Sequence, residues 1–303
     1  MRTSLLVTGL GGFVGGHVAE AVAAGVFGDT TLVRLPEGLD LRDGEATEAA
    51  IADVAPDRVL HLAGQSFVPR AIESPAETYE VNVLGTVNLV QALAKGGFRG
   101  RFLYVSSGDV YGRVDEQELP VSLATVPMPG NPYASSKIAA EDYCMQEWRR
   151  TGMQVMVARP FNHIGPRQDS RFVVASFAQQ LVQIARGERE PVLHVGDIDT
   201  TRDFTDVRDV VRAYAALLER GQEGARYLVA SGVERSPREL LERMIRTMNL
   251  TVRIEPDPGR MRASEQRRMY ADASETTRAC GWRPMIGIEQ TLEDILRTVS
   301  AND

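Results

Sequence analysis

The sequence predicts an α/β fold: a doubly wound parallel sheet followed by a smaller α/β region. Three observations carry this. Short apolar runs alternate with helical patterns over roughly the first half of the chain, as parallel βαβ units with right-handed crossovers require. A glycine-rich turn, Gly9-Leu-Gly-Gly12-Phe-Val-Gly15, separates the first apolar run from the first helix. Gly9, Ala63, Ser107 and Asn162 all fall at the carboxyl ends of strands, the rim where open parallel sheets bind ligands.

The elements follow in order. Leu5–Thr8 reads as a short buried strand and Ala19–Ala24 as part of a helix. Between them, Gly9 allows a tight turn, Gly12 lets backbone amides approach a pyrophosphate, and Gly15 lets the helix pack close to the sheet. The helix N-terminus adds positive potential, so the turn points to a bound dinucleotide. This places the chain among Rossmann-type folds. The spacing is Gly-x-x-Gly-x-x-Gly rather than the plain Gly-x-Gly-x-x-Gly.

Thr30–Leu35 is the second strand. It carries Arg34 where a carboxylate would hold a ribose 2′-hydroxyl, and an arginine there can accept a 2′-phosphate. NADPH is therefore permitted beside NADH. A helix over Ala46–Val54, a strand over Val59–Ala63, a helix over Tyr79–Gly96 and a strand over Phe102–Ser106 come next. A long helix opens at Tyr133 and runs to about Arg150, followed by a strand at Val155–Ala158.

Beyond Phe172 the pattern changes. Helices are expected over Phe172–Arg186, Val207–Leu218, Arg238–Met248 and Ile288–Val299, with strands at Val192–Val195 and Ala225–Ser231. Ser236 suits an N-cap with Pro237 in first position. Residues 256–268 read as irregular and basic. The expected division is a dinucleotide domain over 1–165 and a substrate domain over 166–303, with 203–230 returning to the first.

Composition narrows the classes. The 303 residues allow one large or two modest domains. A net charge of -7 gives no global attraction to nucleic acid or anionic membrane. Cys144 and Cys280 lack metal spacing and read as reduced thiols of a cytoplasmic protein. Leu5-Leu6-Val7 breaks at once into glycines, a poor signal-peptide core, and no apolar run is long enough to span a bilayer. His17 and His194 have no partner cluster, so no metal site is expected.

Tyr133 and Lys137 stand four residues apart at the head of the long helix, hence on one face. A phenol beside an ammonium is expected to titrate below its usual pH of ~10 and to exchange a proton with a sugar hydroxyl or ketone. The alternative is a plain helical surface pair.

At this point the chain resembles the extended short-chain dehydrogenases/reductases that modify nucleotide sugars. The matching stretches are Gly9-x-x-Gly12-x-x-Gly15, Asp40-Leu41, His61-Leu-Ala-Gly64, Asn82-x-x-Gly-Thr86, Ser106-Ser-Gly-Asp-Val-Tyr-Gly112 and Tyr133-x-x-x-Lys137. Arg159-Pro-Phe-Asn-His-Ile-Gly-Pro166, Phe172-Val173, Arg202-Asp-Phe-Thr-Asp-Val-Arg-Asp209 and Arg262-Ala-Ser-Glu265 resemble the GDP-6-deoxy-D-mannose reductase family, nearly end to end. Relatives often carry proline after the arginine corresponding to Arg262; here it is alanine.

The resemblance implies roles. Ser107 would bind the sugar C4 oxygen, Tyr133 would protonate it, and Lys137 would lower the phenol pKa and hold the nicotinamide ribose. Gly9, Gly12, Phe13, Val14 and Gly15 would line the pyrophosphate. Asp40 and Leu41 would flank the adenine, with Leu62, Ala63 and Gly64 further along the cofactor. Asp109, Asn162 and Val173 would lie near the sugar or its diphosphate, and Arg202, Arg262 and Glu265 near the GDP phosphates and ribose. Arginine forks suit a diphosphate and a carboxylate suits a ribose diol. His163 reads as a hydrogen-bonded loop residue rather than a general acid.

The implied activity is NADPH- or NADH-dependent reduction of GDP-4-keto-6-deoxy-D-mannose to GDP-D-rhamnose by a cytoplasmic homodimer, supplying lipopolysaccharide. Three alternatives stand beside it. A GDP-mannose 4,6-dehydratase would need a C5 base at position 109, which related dehydratases supply as glutamate. A C4 reductase of opposite facial choice would make GDP-6-deoxy-D-talose. A non-catalytic dinucleotide-binding scaffold usually loses the tyrosine or the lysine, and both are present.

Overall fold

Six parallel strands form the main sheet, in the spatial order Thr30–Val33, Thr3–Thr8, Arg58–His61, Arg101–Val105, Gln154–Pro160, Arg226–Val229. The structure is a computed structural model and describes residues 2–260 and 266–301. After Thr3–Thr8 the chain adds its second strand on one side, then crosses to place Arg58–His61 on the other. Such a reversal opens a crevice at the carboxyl ends of the two diverging strands. Gly9 and Ala63 stand at that crevice.

The strands are apolar on both sides because both faces are covered. Leu5, Val7, Leu60 and Leu103 share one cluster with Val18 of helix Phe13–Ala23 and Val210, Tyr214 and Leu217 of helix Val207–Arg220. The alternate residues Leu6, Val59, Phe102 and Tyr104 share another with Leu89 and Leu93 of helix Gly85–Lys95 and Cys144 of helix Pro132–Thr151. Successive strand residues point to opposite faces, so each near-continuous apolar run feeds two cores.

A third core, with Phe177, Leu181, Leu193, Phe204, Leu241, Met244, Leu292 and Ile295, lies among the later elements. Small sheets stand over the rim. Asn162–Ile164, Glu234–Arg235 and Arg268–Met269 all pair with Thr201–Asp206, and Val192–Val195 pairs with Arg253–Pro256. Strand Arg226–Val229 and helix Val207–Arg220 belong to the main sheet layer.

Some expected boundaries move. The helix expected over 79–96 begins earlier, as Pro75–Tyr79, then widens into a π turn at Glu80–Leu84 and continues as Gly85–Lys95. Pro75 starts it because a first-turn position needs no amide donor. The second strand stops at Val33, short of Arg34 and Leu35. The stretch expected to be irregular, 256–268, ends in the first residue of strand Arg268–Met269, which pairs with Thr201-Arg202. Among the described residues no helix is long and apolar enough to cross a membrane.

Candidate active site

Tyr133 sits in the first turn of helix Pro132–Thr151. Asn131 caps this helix: its side-chain oxygen accepts from the Ala134 amide at 2.9 Å, with Pro132 in first position. One turn on, Lys137 is buried, its Nζ 4.8 Å from the centroid of the Tyr104 ring. Ser107 comes from a different element, the end of strand Arg101–Val105, where it caps the turn Gly108–Tyr111 by accepting from the Asp109 amide at 3.1 Å. The Ser107 hydroxyl faces the Tyr133 phenol closely enough to favour its ionised form. Two side chains from separate elements thus converge.

Electrostatics corrects one expectation. Burial pushes the Tyr133 phenol up to about 12; the Ser107 hydroxyl works the other way, and the Asp109 charge adds to the rise. The anticipated lowering by Lys137 is not found. Lys137 is itself desolvated, and burial brings it down to about 8 against the opposing pull of Glu141. Both groups are thereby held towards their neutral forms, and a protonated phenol is a proton donor.

The glycine turn fits a dinucleotide. Gly9 has φ +73, and a Cβ there would lie 2.8 Å from the Ala63 amide nitrogen. At Gly15 a Cβ would lie 2.3 Å from the Gly9 carbonyl oxygen, so the helix approaches the strand end as closely as a bare backbone allows. No side chain caps helix Phe13–Ala23. Its first-turn amides face the rim and suit a pyrophosphate.

The remaining expected cofactor residues spread along the same rim. Gly64 lies under Lys137: a Cβ there would be 2.9 Å from Asn82 Oδ1 and 3.8 Å from Lys137 Nζ. Leu62 and Ala63 precede it, half-buried. Asp40 is gripped by the Arg42 guanidinium, and the Leu41 carbonyl is held by Asn88 at 2.8 Å, so that loop has a set shape. Arg34 is exposed just past the second strand. Val14 is half-buried, and Phe13 stacks on His163 with centroids 6.2 Å apart.

His163 Nδ1 lies 3.0 Å from the Phe161 carbonyl oxygen, and burial lowers its pKa, so it sits as a neutral packing residue against Phe13. The substrate side is less tightly drawn. Asn162 and Val173 are exposed on the rim. Arg202 donates to the carbonyls of Thr201, at 2.7 Å, and Gln266, at 3.1 Å, and feels the Asp109 charge. Arg262 and Glu265 lie outside the described residues.

Three supporting residues went unassigned at the sequence level. Asn131 is the cap. Asn82, on the π turn, accepts from the Gln65 amide at 2.7 Å and donates to Ser136 at 2.9 Å, tying the Gly64 loop to the catalytic helix. Glu141 pairs with Arg159. An Asn-Pro pair ahead of a helical pattern signals a cap. Asn82 falls in the matching stretch Asn82-x-x-Gly-Thr86 but was given no role there, and nothing local marks Glu141; the partners of both come from distant elements.

Residues 35–295 match the family model described as GDP-mannose 4,6 dehydratase. The chain belongs to this family of extended short-chain dehydrogenases/reductases. Within the family it is similar to the GDP-6-deoxy-D-mannose reductase of Pseudomonas aeruginosa, with 47% identity over 98% of this chain and 97% of that one. A GDP-mannose 4,6-dehydratase of Vibrio cholerae is 27% identical over 85% of this chain and 76% of its own. The solved structure of RMD from Pseudomonas aeruginosa complexed with NADPH matches with a TM-score of 0.94 at 45% identity, covering 99% of this chain and all of that one. The parallel sheet flanked by helices described above is that of these related structures.

Proposed function

We propose that this chain reduces the 4-keto group of GDP-4-keto-6-deoxy-D-mannose to GDP-D-rhamnose with NADPH. The observation that carries this is the convergence of Ser107 and Tyr133, from two elements, beside buried Lys137. Bound NADPH supplies the hydride. Ser107 would hold the C4 oxygen, and Tyr133 would donate the proton that completes the alcohol. Lys137 would hold the nicotinamide ribose. Arg34 would take the 2′-phosphate, and Arg202, with Arg262 and Glu265, the guanosine diphosphate.

The dehydratase reading is weaker on geometry. It needs a free carboxylate base at position 109. Asp109 is one methylene shorter than glutamate and already accepts from Asn131 at 2.8 Å. We also infer a cytoplasmic homodimer. Ile72, Tyr79 and Leu84 leave apolar surface exposed beside the catalytic helix, as a second copy would cover.

Incubation with GDP-4-keto-6-deoxy-D-mannose and each reduced cofactor tests the proposal. One reduced cofactor should be oxidised per sugar, NADPH faster than NADH, and NMR should identify a D-rhamnose product. A 6-deoxytalose product would reverse the facial assignment. Conversion of GDP-mannose without net cofactor use would overturn the reductase reading.

A further inference from the structure

Asp109 and Asn131 close a ring around the proton donor. The Asp109 amide donates to Ser107 Oγ at 3.1 Å, and the Asp109 carboxylate accepts from Asn131 Nδ2 at 2.8 Å. Asn131 turns its other side-chain atom to the Ala134 amide at 2.9 Å, fixing the helix start that carries Tyr133. The Ser107 hydroxyl, facing the Tyr133 phenol, completes the ring. Among the described residues, Asp109 is the one bonded both to the Ser107 hydroxyl at the strand end and to the cap of the helix that carries Tyr133.

We propose that Asp109 is a positioning residue: by holding Ser107 with its amide and Asn131 with its carboxylate, it sets the reach from the Ser107 hydroxyl to the Tyr133 phenol. This rests on the reductase reading and deepens it. The length of the side chain follows from the task. An aspartate carboxylate lies close to its own backbone, so the two bonds can be made at once. The same carboxylate brings an anion near the phenol, which favours the protonated, donating form. Around the phenol the other ionisable groups are Lys137 on its own helix, Tyr104 from the sheet and Tyr214 from helix Val207–Arg220, while Arg202 faces Asp109.

The test is a double-mutant cycle of Asp109→Ala and Asn131→Ala, read by kcat and by melting temperature, with Asp109→Asn as a third variant. Asp109→Ala should lower kcat by up to about 100-fold through misplacement, leaving NADPH affinity unchanged. If one contact carries the effect, the double variant loses no more than the worse single one. Asp109→Asn keeps an oxygen for Asn131 and removes the charge. Its kcat should fall between those of the wild type and Asp109→Ala, and its phenol should titrate lower, so activity falls off at lower pH than in the wild type.

Multiplicative losses in the cycle, or wild-type kcat in Asp109→Ala, would overturn the proposal, as would an unmoved Tyr133 titration in Asp109→Asn. Should Asp109→Ala fail to fold, cycling Asp109→Leu, which keeps the volume and removes both carboxylate oxygens, against Asn131→Ala poses the same question. The melting temperatures and the spectroscopic tyrosine titration need no turnover. A wild type that leaves the keto sugar untouched would sink the reductase reading while these still judge the clamp.

Discussion

Arg159 grips both carboxylate oxygens of Glu141, at 3.0 and 2.7 Å, with both side chains buried. The same guanidinium donates to the Tyr111 hydroxyl at 2.9 Å, and Arg226 reaches Glu141 at 3.2 Å. Glu141 follows Lys137 by one helical turn, so the network joins the catalytic helix to strand Gln154–Pro160 and to the turn that begins at Ser107.

Removing one partner of this pair leaves the other buried and uncompensated. Glu141→Gln is therefore expected to cost about 3–5 kcal/mol, seen as a lower urea midpoint. Replacing Glu141 and Arg159 together by apolar residues should cost less than Glu141→Gln alone. A double replacement that is the worse of the two would contradict this account.

Lys137 gives the opposite sign. Its folded-state pKa of about 8 lies below the ordinary 10.5, so the folded protein holds the charged form at a cost. That cost is complete below pH ~8 and vanishes above ~10.5. Lys137→Met should raise stability at neutral pH, on the order of 3 kcal/mol, while turnover collapses. Glu141 keeps its arginine partners in the variant. Thermal melts beside NADPH oxidation rates check both halves, and a lower melting temperature would count against it.

Tyr133→Phe removes only the hydroxyl. Turnover should fall about 10²- to 10⁴-fold with NADPH binding, followed by fluorescence, nearly unchanged. Retained turnover would take the phenol out of the chemistry.

The glycine turn offers an internal control. A Cβ at Gly15 would stand 2.3 Å from the Gly9 carbonyl oxygen, whereas one at Gly16 meets nothing within 4 Å. Gly15→Ala should force helix Phe13–Ala23 away from the strand end and weaken NADPH binding sharply. Gly16→Ala should fold normally. Equal cofactor affinities in the two would disprove the close-packing role.

Arg34→Ala tests the 2′-phosphate assignment. Losing a charge-assisted contact should reduce the preference for NADPH over NADH by about 10-fold or more, measured as a ratio of kcat/KM values. An unchanged ratio would move that role to another residue.

The glycine turn, the helix beginning near Tyr133 and the placing of Gly9, Ala63 and Ser107 on one rim were all legible before any coordinates. Each depends on residues close together in the chain. The phenol's titration was not legible. Four-residue spacing suggested an ammonium lowering it, whereas burial and Asp109 raise it. His163 was read as a hydrogen-bonded loop residue; it does hydrogen-bond the Phe161 carbonyl, but from the strand Asn162–Ile164, a strand made by pairing with the distant Phe204–Asp206, and its packing on Phe13 likewise appears only in the tertiary structure.

The sequence by itself determined the fold class and the glycine turn, because periodicity and spacing act within single elements; Ser107, Tyr133 and Lys137 it could only nominate, Tyr133 and Lys137 by their spacing and Ser107 by the family resemblance. Only the tertiary structure decided how Ser107 meets Tyr133, how Asp109 holds Asn131, and which charges are buried. Those are contacts between elements, and the free energy of a proton depends on how deeply packing excludes water around it.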